Sequence, residues 1–287
     1  MKLLAALVLT ASSITATAHQ PVMDMAPRWA GGYGFQVRAE RYGSDELKLG
    51  STRVPNRFGV ERYVNTIWTE GVYTFNRSVR VTLKIPYVDQ SRTTSIDGNG
   101  VRQQNTGIGD VVVGLPFKKY KNHGSVTQNW GFTPSIRIPT GSDSGSFPIS
   151  DGSWDVGLSL SYAWENPKVY QLYDIYYWQQ GSGSNGMQTG NSWGLDVNVG
   201  LHPWHSNDTD SGVFLLWDIS AHHEDPPNLQ NLTTASGGDR VHTGPVFIFY
   251  HDNLMVRGEY KFLAYEKVDR VGLSRGDEFS LAVGLTF

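Results

Sequence analysis

The stretch Phe279-Ser280-Leu281-Ala282-Val283-Gly284-Leu285-Thr286-Phe287 alternates large apolar residues with small or hydroxylated ones and ends on an aromatic ring. Successive side chains of a strand point to opposite faces, so this stretch has one apolar face and one face of small residues. The edge strand of a soluble sandwich could carry such a pattern. The last strand of an outer-membrane barrel requires it, because that strand faces lipid along its length.

An alternating last strand that ends in Phe resembles the sorting and insertion signal of bacterial outer-membrane barrels, which the barrel-assembly machinery reads. The residues expected to form this signal are Phe279, Leu281, Val283, Leu285 and Phe287.

The amino-terminal segment predicts export. Met1-Lys2 is a charged start, Leu3 to Leu9 is apolar, and Ala16-Thr17-Ala18 has the small-x-small pattern of a cleavage site. Residues 1–18 therefore predict a signal peptide, and the mature chain is expected to begin at His19. The apolar run is too short to span a bilayer and no Cys follows it, so neither a helical anchor nor a lipoprotein is expected.

Composition is compatible with a barrel and with few other exported folds. The 287 residues contain no Cys, 32 Gly, 14 Tyr, 12 Phe and 9 Trp, with a mean hydropathy of -0.34. An exported chain of this length without disulfides needs another source of stability, such as a lipid-embedded barrel or a large sheet core. The low hydropathy excludes a helical membrane protein, and the formal net charge of -3 argues against a nucleic-acid partner.

The alternating pattern recurs along the chain and predicts an all-β fold, a single antiparallel transmembrane barrel of about twelve strands. Segments 43–57, 89–107, 140–153, 181–192, 224–239 and 266–276 are polar and predict long outer loops, separated by shorter periplasmic turns. The expected organisation is a signal peptide at 1–18, a periplasmic tail or plug at 19–31, and an outer-membrane barrel at 32–287. The predicted strands are 32–42, 60–75, 79–87, 107–117, 130–138, 155–164, 170–179, 195–202, 213–222, 240–250, 254–265 and 279–287.

A weak internal repeat supports this division into hairpins. Acidic residues stand near the start of successive descending strands at spacings of 38 to 45 positions: Asp110, Asp155, Asp196, Asp239 and Asp277. A propeller blade has a similar period, so the repeat alone does not decide the fold. The alternation of long and short connections favours the barrel.

Four short motifs carry a resemblance to a known family. They are Gly107-Ile-Gly-Asp-Val-Val-Val-Gly-Leu115, Ile138-Pro-Thr-Gly141, Ile85-Pro-Tyr-Val88 and Gly284-Leu-Thr-Phe287. With them the chain resembles the outer-membrane proteins of the phenol-degradation meta-pathway family over most of residues 32–287. This resemblance implies a channel or transporter-like barrel, often linked in that family to uptake of aromatic or other small organic compounds. It implies no catalytic residue.

The polar faces of the predicted strands define an expected lumen lining that carries both signs of charge. Side chains can fill a narrow barrel. These charges are therefore interpreted either as a salt-bridged network or as a selectivity lining. Arg257, Glu259 and Lys261 alternate on one strand and are the expected constriction or lumen strut. The other residues expected to point inward are Arg38, Glu40, Arg80, Lys84, Asp110, Arg137, Asp155, Asp196 and Asp218.

Aromatic residues cluster near both ends of the predicted strands, as the interfacial girdles of a barrel require. The outer girdle is expected to contain Trp154, Trp193 and Phe279, and the periplasmic girdle Tyr73, Phe75, Trp164, Tyr170, Trp204 and Phe287. A channel for hydrophobic compounds would also need inward-facing rings. Phe214, Tyr173 and Tyr177 are the candidates for that role.

Two groups of residues suggest metal binding. The amino group and imidazole of His19, with the thioethers of Met23 and Met25, could chelate copper, although a disordered tail explains the same residues. His202 and His205, and the adjacent His222 and His223, form the second group. Adjacent residues on a strand point to opposite faces, so the last two cannot easily share a metal.

No catalytic site is expected. An outer-membrane phospholipase is also a barrel, and Ser220 and His222 share one face, but that face is assigned to the lumen. The sequence therefore predicts a non-enzymatic outer-membrane channel of a Gram-negative bacterium for passive passage of small molecules, in contact with outer-membrane lipid and lipopolysaccharide. The alternatives are a structural, adhesion or copper-binding barrel with a plugged lumen and, less favoured, a lipid hydrolase.

Overall fold

The structure, a computed structural model, describes residues 29–96, 99–144, 147–183, 188–206, 208–227 and 237–287. Its strands are β1 (Tyr33–Ser44), β2 (Leu47–Gly50), β3 (Thr52–Val54), β4 (Glu61–Asn76), β5 (Val79–Ile96), β6 (Asn99–Ile108), β7 (Val111–Gly114), β8 (Phe117–His123), β9 (Val126–Ile138), β10 (Asp155–Glu165), β11 (Val169–Gln179), β12 (Ser192–Ser206), β13 (Ser211–Glu224), β14 (Gly238–His251), β15 (Leu254–Leu273) and β16 (Glu278–Thr286).

The strands form one closed antiparallel sheet. From β9 to β16 each strand pairs with the next, β1 pairs with β4, β4 with β5, and β16 pairs with β1. Segments β6, β7 and β8 follow one another as a single interrupted strand beside β5 and β9. The short β2–β3 hairpin extends the sheet from the outer end of β15. Twelve strands therefore close the barrel, as the sequence predicts.

The connections differ from the sequence-based expectation at two outer loops. Segment 89–107 is largely strand, because β5 and β6 continue as a paired hairpin. Segment 266–276 is also mostly strand, since β15 runs to Leu273 and leaves a short turn before β16. Both extensions are polar, and both of their faces can meet water, so they lack the apolar alternation of the membrane-facing strands. Among the described residues, no helix is long and apolar enough to cross a membrane.

The outer wall is apolar and the inner wall polar. The side chains of Phe279, Leu281, Val283 and Leu285 are all exposed on the exterior, whereas the intervening small residues of β16 are buried. Because a barrel in lipid reverses the usual arrangement of a soluble sheet, these exposed apolar side chains form the lipid-facing band.

The seam between β1 and β16 is closed by backbone pairing and by aromatic stacking. The backbone N–H groups of Tyr33 and Phe287 each donate to the carbonyl of the other, at 2.8 and 2.7 Å. Their rings stack with centroids 5.2 Å apart. The predicted girdle residues Trp154, Trp193, Tyr73, Phe75, Trp204 and Phe279 are exposed on the exterior. Tyr170 is an exception, because its ring is buried inside the barrel.

A hydrophobic cluster fills the periplasmic end of the lumen on the β11–β15 side. It contains Tyr170, Phe214, Leu216, Val246, Ile248, Tyr250 and Met255, with Leu172 packed against it. His202 stacks on Phe214 with ring centroids 4.0 Å apart. Burial of these apolar side chains against one another removes them from the lumen water and stabilises this half of the barrel.

Candidate functional site

The barrel lumen encloses a cavity of about 720 Å³. Its lining begins at Gly34, Arg80 and Glu165, which lie next to the periplasmic ends of their strands, and continues outward to Tyr42 and Glu278. Strand alternation places these side chains inside, since every second residue of each strand faces the lumen. The cavity is therefore a water-accessible space along the barrel axis.

Both signs of charge line this cavity. Ten of the twelve residues expected to point inward lie on its wall: Arg38, Glu40, Arg80, Lys84, Arg137, Asp196, Asp218, Arg257, Glu259 and Lys261. Asp155 is buried beside Arg137 at 2.9 Å. Asp110 lies farther outward, where it accepts hydrogen bonds from Ser150 and the Gly141 backbone.

One group of charges forms an ion-paired strut on β15 and β13. Lys261 places its Nζ 2.7 Å from a Glu259 oxygen and 2.7 Å from a carboxylate oxygen of Asp218. Arg257 pairs with Glu259 at 2.7 Å. These side chains are largely buried, and buried charges are tolerated when they are paired and hydrogen-bonded. The three alternating residues of β15 thus brace one another and the opposite strand rather than projecting freely into the cavity.

A second group continues the pairing around β1, β4 and β5. Arg38 ion-pairs with Glu40 and, at 2.7 Å, with Glu70. Lys84 reaches the other Glu70 oxygen at 3.8 Å, and the Trp68 indole N–H donates to Glu40 at 2.6 Å. Glu70 was not singled out from the sequence, although its inward position follows from the same period of two as Trp68.

An outer cavity of about 520 Å³ lies above the lumen cavity. Two residues, Tyr42 of β1 and Arg275 of the β15–β16 turn, line both spaces. The Arg275 guanidinium lies 3.2 Å from the Tyr42 ring centroid, and its Nε is 3.0 Å from Glu278. This stacked and ion-paired arrangement fixes the Arg275 side chain where the two cavities meet, a place called the Tyr42–Arg275 junction below. Sequence reasoning missed this junction, because Arg275 stands in a turn without strand alternation.

The outer cavity is partly covered by the β9–β10 loop. Phe147 is buried there against Arg92, whose guanidinium carbon lies 4.3 Å from the ring centroid. Gln90 donates to the Pro148 carbonyl at 2.8 Å, and Asn105 donates to the Phe147 carbonyl at 3.0 Å. These contacts hold residues 147–150 across the inner face of the β5–β6 hairpin and narrow the outer mouth.

The inward aromatic rings are only partly those expected. Phe214 is inside, where it is almost fully buried in the periplasmic cluster. The expectation for Tyr173 and Tyr177 is wrong, since both are exposed on the exterior. The opposite face of the same strand, β11, carries Tyr170, Tyr176 and Trp178 into the cavity. The polar side chain of Asp174 on that face determines which side of β11 faces water.

The histidines make no metal cluster. In the part of the chain that the structure describes, no group of three or more His, Cys, Asp or Glu side chains could hold a metal ion. His202 is buried, whereas His205 is exposed. His222 faces inward and contacts the Tyr176 hydroxyl at 3.0 Å. The copper ligands proposed at His19, Met23 and Met25 lie outside the described residues.

Ser220 and His222 do not form a nucleophile and base pair. Ser220 donates to Asp218 at 2.7 Å and accepts from Lys261 at 2.9 Å, whereas His222 contacts Tyr176. Both face the lumen, and a lipid hydrolase needs its nucleophile on the outer wall.

His223 lies on the outer rim of the barrel, beyond the apolar band. It contacts Asp239 at 2.7 Å and Asp225 at 3.3 Å. The hydrogen bond that the ring donates to Asp239 is the main reason that the pKa of His223 is raised above its ordinary value, with a further contribution from Asp225 and opposition from partial burial. The protonated ring therefore links the outer ends of β13 and β14.

Comparison with solved structures agrees with the fold. An outer membrane channel from Pseudomonas putida F1 superposes with a TM-score of 0.68 and 13% identity, covering 96% of this chain and 100% of that one. A Pseudomonas aeruginosa FadL homologue matches with a TM-score of 0.44 and 8% identity, covering 89% of this chain and 90% of that one, which is too distant to support an argument. No curated protein matches the sequence.

The exterior, the lumen and the closed sheet together define an integral protein of the bacterial outer membrane. The family model described as "Putative MetA-pathway of phenol degradation" matches residues 48–262, which is well over half of the chain. The chain therefore belongs to this family of outer-membrane barrels, as the motifs near Asp110 and Thr140 had indicated.

Proposed function

We propose that the protein is a passive channel for small molecules, including organic compounds that carry an aromatic ring and a polar group. The observation that carries this proposal is the pair of cavities that follow one another along the barrel and meet at Tyr42 and Arg275. Charged side chains line the path, and their mutual pairing keeps them against the wall. Pore selectivity follows from diameter and from the groups that line the path.

The lining supports solutes that are partly polar. Indole and phenol rings of Trp68, Tyr120, Tyr176 and Trp178 face the same cavity as the charged groups. A phenol or a comparable compound can place its ring against these residues and its polar group toward the charges. The family description, which names phenol degradation, is compatible with such solutes.

The experiment is flux through reconstituted liposomes with phenols, sugars and metal ions. Wild-type protein should pass at least one class, and Arg275→Ala and Tyr42→Ala should each increase the flux because they shorten the side chains at the junction. Arg57→Ala is the matched control, since Arg57 is exposed between β3 and β4 and lines neither cavity. Absence of flux for every solute in wild type and in both variants would refute the channel.

One observation favours a second candidate, a structural barrel with a closed lumen. The hydrophobic cluster around Phe214 occupies a large part of the periplasmic end. A barrel of this kind would pass no solute, and Phe214→Ala would be needed to create a path.

We further propose that the partners are those of an outer-membrane barrel. The apolar band of the exterior suits outer-membrane lipid and lipopolysaccharide, and the β16 face from Phe279 to Phe287 suits recognition by the barrel-assembly machinery. Crosslinking from the lipid-facing position Leu281 during assembly would test whether the barrel-assembly machinery contacts this face.

A further inference from the structure

Two carboxylates of the lumen wall lie side by side on neighbouring strands, with the lysines Lys84, Lys118 and Lys261 elsewhere on the same wall. Asp174 of β11 and Asp196 of β12 are directly opposite in the strand register, and both line the 720 Å³ cavity. Directly paired residues on one face have Cβ atoms about 4.5–5.5 Å apart, and like charges there repel. Among the described residues, neither carboxylate has an ion pair, whereas Asp218 on the next strand has Lys261.

The side-chain amide oxygen of Asn198, beside them, also lacks a hydrogen-bond donor. Asn198 follows on the same face of β12, is 2% exposed, and has an Oδ1 atom without a hydrogen-bond partner. One oxygen of Asp174 is buried and unpartnered as well. The Ser159 hydroxyl serves Asp174 but leaves its buried oxygen unsatisfied, and the Ser220 hydroxyl, opposite Asp196 in the strand register, donates to Asp218 instead. A buried acceptor without a donor is destabilising, so this patch suits a ligand that brings several N–H donors.

The same wall offers apolar and aromatic surface. On the inward face of β11, Leu172 and Tyr170 lie on the periplasmic side of Asp174, and Tyr176 and Trp178 lie on its outer side. Aromatic faces attract cations, and their area packs against an apolar substituent. The patch therefore combines two carboxylates, an amide oxygen and rings within one cavity wall.

We propose that Asp174, Asp196 and Asn198 form a binding site in the lumen for a small organic cation, a primary ammonium that carries an aromatic or apolar group. Its N–H groups donate to the two carboxylates and to the Asn198 oxygen, and its substituent lies against the β11 rings. The proposal rests on the channel function above, since it names a solute class for the same cavity.

The test uses benzylammonium as the probe and purified full-length mature protein in planar bilayers. Benzylammonium should block the potassium current in a saturable manner, and benzyl alcohol, which has the same ring without the charge, should block far less. Asp174→Asn/Asp196→Asn should raise the half-blocking concentration about tenfold or more, because charge-assisted hydrogen bonds are lost. Asn198→Leu should raise it as well without changing the charge.

Asp45→Asn/Asp208→Asn removes the same number of charges at exposed positions that do not line the cavity and should leave the block unchanged. Heat-modifiable migration on gels verifies that each variant is folded. Equal block in the wild type and the Asp174/Asp196 variant would overturn the site, and so would equal block by benzyl alcohol. Binding of Ca²⁺ without binding of benzylammonium would replace the organic ligand with an inorganic one and also overturn the proposal.

A wild-type protein without current would refute the channel and leave the site to a separate measurement. Calorimetry of benzylammonium with the detergent-solubilised protein then decides, with the same variants. Saturable heat that disappears in Asp174→Asn/Asp196→Asn supports the site in a non-conducting barrel. Absence of saturable heat in the wild type overturns the site.

Discussion

Lys261 and Asp218 lie on strands that are not neighbours, and the ammonium nitrogen of Lys261 is nevertheless 2.7 Å from the Asp218 carboxylate. Strand β14 separates them, and the residue of β14 opposite Asp218 is Gly244. Because Gly244 has no side chain, Lys261 can cross over this strand inside the lumen. The ion pair therefore depends on one glycine as well as on two charges.

Asp218→Ala should destabilise the barrel. It leaves the largely buried Lys261 with one carboxylate fewer, and removing one partner of a buried pair costs about 3–5 kcal/mol. Urea unfolding in lipid vesicles, followed by tryptophan fluorescence, measures the change. Asp45→Ala, at an exposed outer-loop position, should change the unfolding free energy little. If Asp218→Ala lowers the unfolding free energy no more than this control does, the Lys261–Asp218 ion pair does not stabilise the barrel.

Gly244→Ala should also destabilise the barrel, for a steric reason. A Cβ atom at Gly244 would overlap the Tyr260 carbonyl oxygen, a backbone atom that cannot move alone. Gly258→Ala on the adjacent strand is the matched control, because no atom lies within 4 Å of its added Cβ. The melting temperatures of the two variants should differ clearly. Equal values would show that the sheet relaxes around Gly244.

Much of the fold follows from the sequence because strands in lipid must alternate. The pattern from Phe279 to Phe287 is correct at every position of β16, and the strand number and family are confirmed. The alternation does not identify the inward face of a strand whose two faces carry similar side chains. Strand β11 has aromatic rings on both faces, so the alternation of its residues could not show whether Tyr173 or Tyr176 faces the lumen. The expectation that Tyr173 points inward was therefore wrong.

The site was less predictable than the fold. Lumen charges such as Arg257 and Glu259 could be assigned to the inner face from alternation alone, but which charges pair depends on contacts between distant strands. The Tyr42–Arg275 junction joins residues far apart in the sequence, one of them in a turn. Polar extensions such as β5–β6 have water on both faces, so hydropathy could not separate them from loops.

Phe214→Ala should destabilise the barrel and enlarge the lumen. Phe214 is almost fully buried between Tyr170, His202 and Tyr250, and truncation of a buried Phe costs about 3–5 kcal/mol. Vesicle unfolding gives the free energy, and single-channel recording gives the conductance. Phe247→Ala, on the lipid-facing side of β14, should leave the conductance at the wild-type value. An unchanged conductance in Phe214→Ala would place the cluster outside the path.

The His223 imidazole should titrate above its ordinary pKa of about 6.5. Its pKa is raised by Asp239, so the link between β13 and β14 is fully present below the ordinary value and is lost as pH rises through the raised one. The shift of the ring protons with pH, measured by NMR in nanodiscs, reports the midpoint. Asp239→Asn should lower the midpoint, and Asp45→Asn should not. A wild-type midpoint below 6.5 would contradict the assignment.

Phe287→Ala should reduce the amount of protein in the outer membrane. The substitution removes the ring stacked on Tyr33 and the last large residue of the β16 outer face. Immunoblots of membrane fractions measure the amount, and flux per inserted molecule should be unchanged. Phe75→Ala, an exterior ring on a different strand, serves as the control. Normal levels of Phe287→Ala would exclude this residue from the insertion signal.

The position of the Tyr42–Arg275 junction has a consequence for biogenesis. Tyr42 belongs to the first strand of the barrel, and Arg275 directly precedes the last, in a turn where Ser274 donates to the Glu46 carbonyl at 2.8 Å. The junction of the two cavities is thus built across the seam itself. It forms only when β1 and β16 pair, so the path from one cavity to the other is complete only in the closed barrel.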